Sequence, residues 1–382
     1  MKTKVLILHT SVGYGIKITA QGIYDRLKGS AEFMPRIEDL QEMEKGFSVS
    51  LLQRVYLAVI EKMAWLWGVL YNSRLVMWIM LPLRKSIASF KAKKTLQVLR
   101  EYQPAIVIST QAAPTGIVAY LKSKGLYRGK LVAAFSDYHL HRFWLFDEVD
   151  LYMCNIQEQA DELRAMGVTP DRIVVSGMPV LEKYLKQINR EEACLAFGLL
   201  TSMPVVLMSG GRRGLIASKE IFLRLLRSPK SFQVVVVAGK NEELKEELSK
   251  ISSPARHPVK ILGFVENQDV LMSAATLIIS KPGGPTIAEA VSKRLPVIIT
   301  DAHPGHEEAN KNFLVRQGVA GYGRIPREVA FLVEQVLEGK QINQQEQAFR
   351  LLIEPKGRKT VEESLKLIRP EPQGLTIKNY QA

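Results

Sequence analysis

The 382-residue chain predicts an α/β protein made of two doubly wound parallel-sheet domains. Three observations carry that expectation. Ten short apolar runs, rich in β-branched residues, alternate with helical stretches, which is the pattern of strands buried on both faces. The runs form two series of five, divided near Gly177-Met178-Pro179-Val180. Glycine-rich and polar clusters directly follow several of the strands, where open parallel sheets bind ligands. The length suits two domains of roughly 100–200 residues each.

The first series of strands is Lys4–His9, Ala105–Ser109, Leu131–Phe135, Leu151–Cys154 and Ile173–Ser176. A charged helix from Leu181 to near Phe197 then leads into Val205–Ser209, Val234–Ala238, Val259–Leu262, Leu277–Ser280 and Val297–Thr300. Gln335–Leu352 and Thr360–Ile368 read as helices, and the chain from Pro370 as a polar tail. The expected domains are residues 1–180, residues 181–350, and a C-terminal helix and tail over residues 351–382.

At 47% hydrophobic and 24% charged residues, the composition is that of a folded protein, and it excludes wholesale disorder, collagen-like structure and a polytopic membrane protein. Cys154 and Cys194 cannot build a disulfide framework, so a reducing cytosol is the default. Two cysteines and six scattered histidines give no structural zinc pattern. The net charge of +14 calls for an anionic partner.

Residues 51–100 hold nine basic residues against the single acid Glu61. The same stretch holds Trp65, Trp67 and Trp78, with Arg84, Lys85, Lys91, Lys93 and Lys94 towards its end. Basic, Trp-rich and apolar together read as a surface for anionic lipid rather than a nucleic-acid groove. The apolar runs Met63–Tyr71 and Leu75–Leu83 are split by Asn72-Ser73-Arg74, so neither reaches the roughly 18–20 residues of a spanning helix. Val5–Leu8 is too short for a signal-peptide core. The expected location is therefore peripheral, on the cytoplasmic face of the cell membrane.

Three segments after strands carry chemistry. Thr10-Ser11-Val12-Gly13-Tyr14-Gly15 turns the first strand into a helix, either as a plain tight turn or as a loop that approaches a ligand. Ser280-Lys281-Pro282-Gly283-Gly284-Pro285-Thr286 runs from a strand into a helix. Its N–H groups and the helix dipole suit a diphosphate, Thr286 adds a hydroxyl, and Glu289 one turn later suits a pair of ribose hydroxyls. Helix capping is the alternative for both side chains. His303-Pro304-Gly305-His306-Glu307-Glu308-Ala309-Asn310 offers groups that hydrogen-bond sugar hydroxyls, or else is a solvated loop opening a helix.

In order and spacing, these segments resemble glycosyltransferases of the GT-B class, with two Rossmann-like domains facing a cleft. More narrowly, the chain resembles the family of monogalactosyldiacylglycerol synthases and processive diacylglycerol glucosyltransferases, with the lipid II GlcNAc transferase a more distant relative. The resemblance rests on Lys281–Ala290 with Pro304–Asn310, on Ser136-Asp137-Tyr138-His139-Leu140-His141-Arg142-Phe143-Trp144, and on Gly177–Val180. It implies that Pro282, Gly283, Gly284, Thr286 and Glu289 hold the nucleotide diphosphate and ribose. It implies that Phe264 and Val265, after Gly263, pack on the uracil, and that Gly210, Gly211 and Arg212 face the phosphates. It also implies that His306, Glu307 and Asn310 meet the donor sugar, that Gly13, Tyr14 and Gly15 line the acceptor side, and that Tyr56–Tyr71 sits on the membrane near diacylglycerol.

The implied reaction is inverting transfer of a hexose from UDP-glucose or UDP-galactose to the sn-3 hydroxyl of diacylglycerol. No metal or other cofactor is expected, because no D-x-D motif follows a suitable strand; Asp147-Glu148-Val149-Asp150 reads as solvated or capping. The chain departs from the family twice. Ile16 stands where the first loop usually carries a histidine, a candidate general base, and His306 stands where relatives commonly have glutamine. Asp137 and His141 become the base candidates, with His139 as a competitor and an acceptor-shaping role as the alternative. Transfer to a polyprenyl-linked sugar or a sterol, and UDP-sugar binding without catalysis, are the alternatives to diacylglycerol transfer.

Overall fold

A computed structural model of the chain describes residues 2–10, 14–40, 92–211, 218–252, 257–340, 342, 344–355 and 359–368. Two compact units emerge, Met1–Leu181 with Glu354–Ala382, and Glu182–Ile353. Each contains a six-stranded sheet whose paired strands are all parallel. All ten expected runs are strands.

The first sheet consists of β1 (Thr3–His9), β2 (Phe33–Asp39), β3 (Ile106–Ser109), β4 (Lys130–Ala134), β5 (Leu151–Cys154) and β6 (Ile173–Val175), in the order β2-β1-β3-β4-β5-β6. Helices cover both faces, which is why the strands read as unbroken apolar runs. On one face Val5, Ile7, Ile106 and Val132 pack with Ala20, Ile23 and Leu27 of α1 (Tyr14–Lys28). On the other, Leu6, Leu8, Val107 and Leu131 pack with Leu96 and Leu99 of α2 (residues 92–102), Val118 of α3 (Ala112–Ser123) and Ala160 of α4 (Gln157–Ala165).

The chain returns to this unit at its C-terminal end. A capping box starts the helix Val361–Lys366: Thr360 Oγ1 accepts from the Glu363 N–H at 3.2 Å, and Glu363 Oε2 accepts from the Thr360 N–H at 2.7 Å. Val361 and Leu365 join the α1 side of the core, and Lys366 pairs with Glu32 at 2.7 Å.

The second sheet consists of β7 (Val205–Ser209), β8 (Gln233–Val237), β9 (Val259–Leu262), β10 (Leu277–Ser280), β11 (Val297–Ile299) and β12 (Gly321–Tyr322), in the order β12-β11-β10-β7-β8-β9. Its helices are α5 (Glu182–Leu185), α6 (Arg190–Ala196), α7 (Ser218–Leu225), α8 (Glu242–Ser252), α9 (Gln268–Ala274), α10 (Gly284–Ser292), α11 (His306–Arg316), α12 (Pro326–Leu337) and α13 (Gln345–Leu352).

The structure corrects four expectations. β2 is an edge strand, partly exposed and interrupted by Pro35, so it lacks the apolar run of a central strand. β12 is only two residues long. The helix expected over Leu181–Phe197 is two helices, because Asn189 caps a new start by accepting from the N–H groups of Glu191 and Glu192. The helix expected over Gln335–Leu352 is broken after Leu337, where Gly339 takes a φ of 77° that favours glycine.

Asp150 has a structural job. Its carboxylate receives Lys122 of α3, Lys130 at 3.2 Å and the Leu131 N–H at 2.7 Å. Asp150→Ala is expected to cost about 1–3 kcal/mol through lost charge-assisted hydrogen bonds. The corresponding fall in melting temperature is roughly 5 °C, measurable by circular dichroism.

Candidate functional site

In the second unit the chain runs outward from β7 to β8 and β9, then returns to β10 on the other side of β7. The order reverses between β7 and β10, which makes the carboxyl ends of these two strands the expected binding edge. Ser209-Gly210-Gly211 leaves β7 there, and Lys281-Pro282-Gly283 leaves β10.

The second loop is braced at three points. The Gly283 N–H donates to the Lys281 carbonyl at 2.8 Å, and Asn310 Nδ2 donates to the Pro282 carbonyl at 3.1 Å. Lys281 Nζ donates to Glu307 Oε1 at 2.7 Å. Glu307 and Asn310 are one turn apart on α11, so one helix face holds the loop. Burial pushes the Glu307 carboxyl up, but Lys281, aided by His306 and His303, outweighs burial and holds it below its ordinary value. Gly305 positions α11 with a φ of 100° that side chains rarely tolerate.

Gly283 is different. Its φ is −72°, and a Cβ built there would meet only Thr286 Oγ1, at 4.0 Å. Neither the backbone nor packing demands a glycine, so the missing side chain leaves room in front of the α10 N-terminus. No side chain caps that terminus from Gly283, and Thr286 is partly exposed beside it. An anion is the ligand that a helix N-terminus favours.

Glu289 lies in the second turn of α10, only 5% exposed. Burial pushes its carboxyl up to about 8, against the opposing pull of Lys183 and a hydrogen bond with Tyr184; Asp269 adds to the rise. Lys183 pairs with Asp269 at 3.2 Å and donates to the Glu266 carbonyl at 2.7 Å. Lys183, Tyr184 and Asp269 escaped the sequence reading, because α5 is a four-residue helix and no spacing ties it to α10.

On the other side of β7, Phe264 is 46% exposed after β9, with Lys240 Nζ 5.9 Å from its ring centroid and Val265 partly buried beside it. An exposed flat ring suits stacking on a base. Gly210 is buried and Gly211 has a φ of 74° with open space around its Cβ position. Gln268 Nε2 donates to Ser209 Oγ at 3.1 Å. Arg212 lies outside the described residues. The structure thus brings the five calls Pro282, Gly283, Gly284, Thr286 and Glu289 together on one loop and helix. Glu307 and Asn310 brace that loop, and Asn310 is fully buried. His306 is exposed at the first turn of α11.

In the first unit the order reverses between β1 and β3, so the loop after β1 is at the corresponding edge. Tyr14 and Gly15 begin α1; Gly13 lies outside the described residues. Asp137 is partly buried after β4, and its carbonyl accepts from Asn155 Nδ2 at 2.9 Å and Gln159 Nε2 at 2.8 Å. The His141 ring lies 4.5 Å from that of Phe143, between centroids and tilted by 46°, and its Nδ1 accepts from the Phe143 N–H at 3.3 Å. The neutral ring therefore carries its proton on Nε2. His139 lies 6.4 Å from His141, between ring centroids.

Trp65, Trp67, Trp78, Arg84, Lys85 and Lys91 lie outside the described residues, whereas Lys93 and Lys94 are exposed on α2. Among the described residues, no helix is long and apolar enough to cross a membrane, and no cluster of His, Cys, Asp or Glu could hold a metal ion.

Two parallel sheets, each with a strand-order reversal of this kind, define a class. The chain has the GT-B fold: Acinetobacter baumannii MurG superposes with a TM-score of 0.61 at 12% identity, over 96% of this chain and 99% of that one. Within that class, residues 19–180 match the monogalactosyldiacylglycerol (MGDG) synthase family model, and residues 215–359 match the glycosyltransferase family 28 C-terminal domain. The chain is similar to a processive diacylglycerol β-glucosyltransferase of Bacillus cereus, 28% identical over 313 residues, or 81% of this chain and 78% of the relative. It is also similar to the chloroplastic monogalactosyldiacylglycerol synthase 3 of Arabidopsis thaliana, 29% identical over 342 residues, or 86% and 73% of the two chains.

Proposed function

We propose that this chain transfers a hexose from UDP-glucose or UDP-galactose to the sn-3 hydroxyl of 1,2-diacylglycerol, with inversion, at the cytoplasmic face of a membrane. The observation that carries the reading is the Gly283 cradle: a braced loop with room for an anion at a helix N-terminus, in a chain whose relatives glycosylate diacylglycerol. The N–H groups there oppose the negative charge that grows on UDP as the anomeric C–O bond breaks. The Lys281–Glu307 pair and the Asn310 amide hold the loop ready, so little reorganisation is needed during the reaction. Phe264 takes the uracil face, Glu289 the ribose hydroxyls, and His306 the sugar.

The acceptor is a lipid whose hydroxyl stays at the membrane surface, and the excess of basic residues over 51–100 supports attachment there. Roughly 1 kcal/mol per basic residue near an anionic surface suffices for reversible binding. The test mixes purified protein, anionic vesicles containing dioleoylglycerol, and UDP-glucose, UDP-galactose or UDP-GlcNAc in turn, with lipids read by mass spectrometry. Hexosyl-diacylglycerol is the expected product. A sample that binds UDP and vesicles yet makes no hexosyl lipid with any donor overturns the reading.

A further inference from the structure

Two turns leave the second sheet side by side, at the same edge as the Gly283 loop. β8 and β9 pair in parallel with Val237 against Leu262, and the Ala238 N–H donates to the Leu262 carbonyl at 2.8 Å. The chain then turns at Gly239-Lys240 after β8 and at Gly263-Phe264 after β9. Gly239 takes a φ of 66°, and the Asn241 N–H closes the first turn on the Ala238 carbonyl at 3.2 Å. Asn241 Oδ1 also accepts from the Leu244 N–H at 3.0 Å, which ties the turn to the start of α8. The backbone at Lys240 is therefore held, while its side chain is exposed.

Lys240 has acidic neighbours and does not use them. Glu242 lies two residues on, yet it pairs with Lys245 at 3.0 Å. Among the described residues, Lys240 makes no ion pair; its one contact is with Phe264, whose ring is also exposed. The Nζ lies 5.9 Å from the ring centroid, at the outer limit of a cation–ring contact, so the ring by itself holds the ammonium weakly. A flat apolar face beside a spare ammonium suits a flat ligand with an accepting rim.

We propose that Lys240 selects the base of the donor nucleotide, by donating to uracil O4 when the base lies on Phe264. This rests on the UDP-sugar reading above. Lysine carries three donors and no acceptor. Uracil has the accepting oxygen O4 where cytosine has an amino group that only donates. The same ammonium therefore binds the first base and meets the second donor to donor, which is selection by an unfavourable contact as well as a favourable one. The sheet order points to O4 rather than O2. Glu289, assigned to the ribose, follows β10, and the order runs β10-β7-β8-β9. A base that reaches Phe264 from there directs its far end, opposite the ribose-bearing nitrogen, towards the two turns.

The experiment titrates UDP and CDP into the wild type, Lys240→Met and Lys240→Arg by calorimetry, with the melting temperature of each. The wild type is expected to prefer UDP over CDP by about tenfold or more. Lys240→Met, which keeps the length without the charge, is expected to bind UDP about tenfold more weakly and CDP within about threefold of wild type. Lys240→Arg keeps charge and donors and should retain most of the preference for UDP. The melting temperatures should agree, because the side chain is exposed. A preference for UDP that survives in Lys240→Met overturns the assignment. So does an equal loss with both nucleotides, which would make Lys240 a general attractor of phosphate charge. A wild type that binds neither nucleotide overturns the UDP-sugar reading itself, and this result is separate from any variant.

Discussion

Replacing Gly283 with valine is expected to abolish sugar transfer while leaving the fold intact. The backbone at this residue, φ −72° and ψ 124°, is one that valine adopts readily. A Cβ at this residue meets nothing of the protein nearer than Thr286 Oγ1, at 4.0 Å. Gly283 is the N-cap of α10, where valine is less favourable than glycine, so the melting temperature should fall by no more than about 2–4 °C. The ligand side is different. Two extra methyl groups would stand where a diphosphate approaches the α10 N–H groups, and overpacking of this kind costs about 1–3 kcal/mol or more. Isothermal titration with UDP should show affinity lowered about 100-fold, and kcat/KM should fall at least as far. Unchanged UDP affinity would remove the diphosphate from this loop.

Glu289→Gln is expected to weaken donor binding and stabilise the unliganded protein at the same time. The Glu289 carboxyl, ordinarily at 4.5, is pushed up to about 8, chiefly by burial. Below 4.5 the group is protonated in folded and unfolded chains alike, and its neutral form costs nothing. Between 4.5 and about 8 the unfolded chain releases the proton while the folded chain keeps it, so stability falls as pH rises. Above about 8 both are ionised and the loss levels off. The span amounts to a few kcal/mol, at about 1.4 kcal/mol per pH unit. The variant has no such dependence. Its melting temperature should match wild type near pH 4.5 and exceed it by several degrees at pH 8.

Binding runs the other way. A carboxylate accepts from two ribose hydroxyls at once, whereas an amide offers one accepting oxygen. UDP-glucose affinity of the wild type should rise between pH 6.5 and 8.5 by about tenfold as the carboxylate forms, and that of Glu289→Gln should stay flat. A flat wild-type profile, with equal affinity for the variant, would mean that Glu289 does not hold the ribose.

How legible each part was in the sequence follows from what its residues must satisfy. Central strands such as Val205–Ser209 and Leu277–Ser280 are buried on both faces, so their solvation alone writes a continuous apolar run. The edge strand Phe33–Asp39 faces water on part of its surface and carries no such run. The Lys281–Asn310 segment was legible as a candidate site because a turn, a helix start and polar side chains occur within thirty residues of one another.

By itself, then, the sequence determined the paired doubly wound sheets, the positions of the glycine loops at strand ends and the resemblance to diacylglycerol glycosyltransferases. Each of these depends on local spacing and burial, which any stretch of chain records in its own residues. Tertiary structure alone decided what stands across from what. It set Asn310 against the Pro282 carbonyl, Tyr184 against Glu289, Val361 against the α1 side of the first core, and Asp39 against His9. Those pairs join residues far apart in the chain, and the strand order that brings them together follows from the packing of whole sheets, which no local pattern encodes.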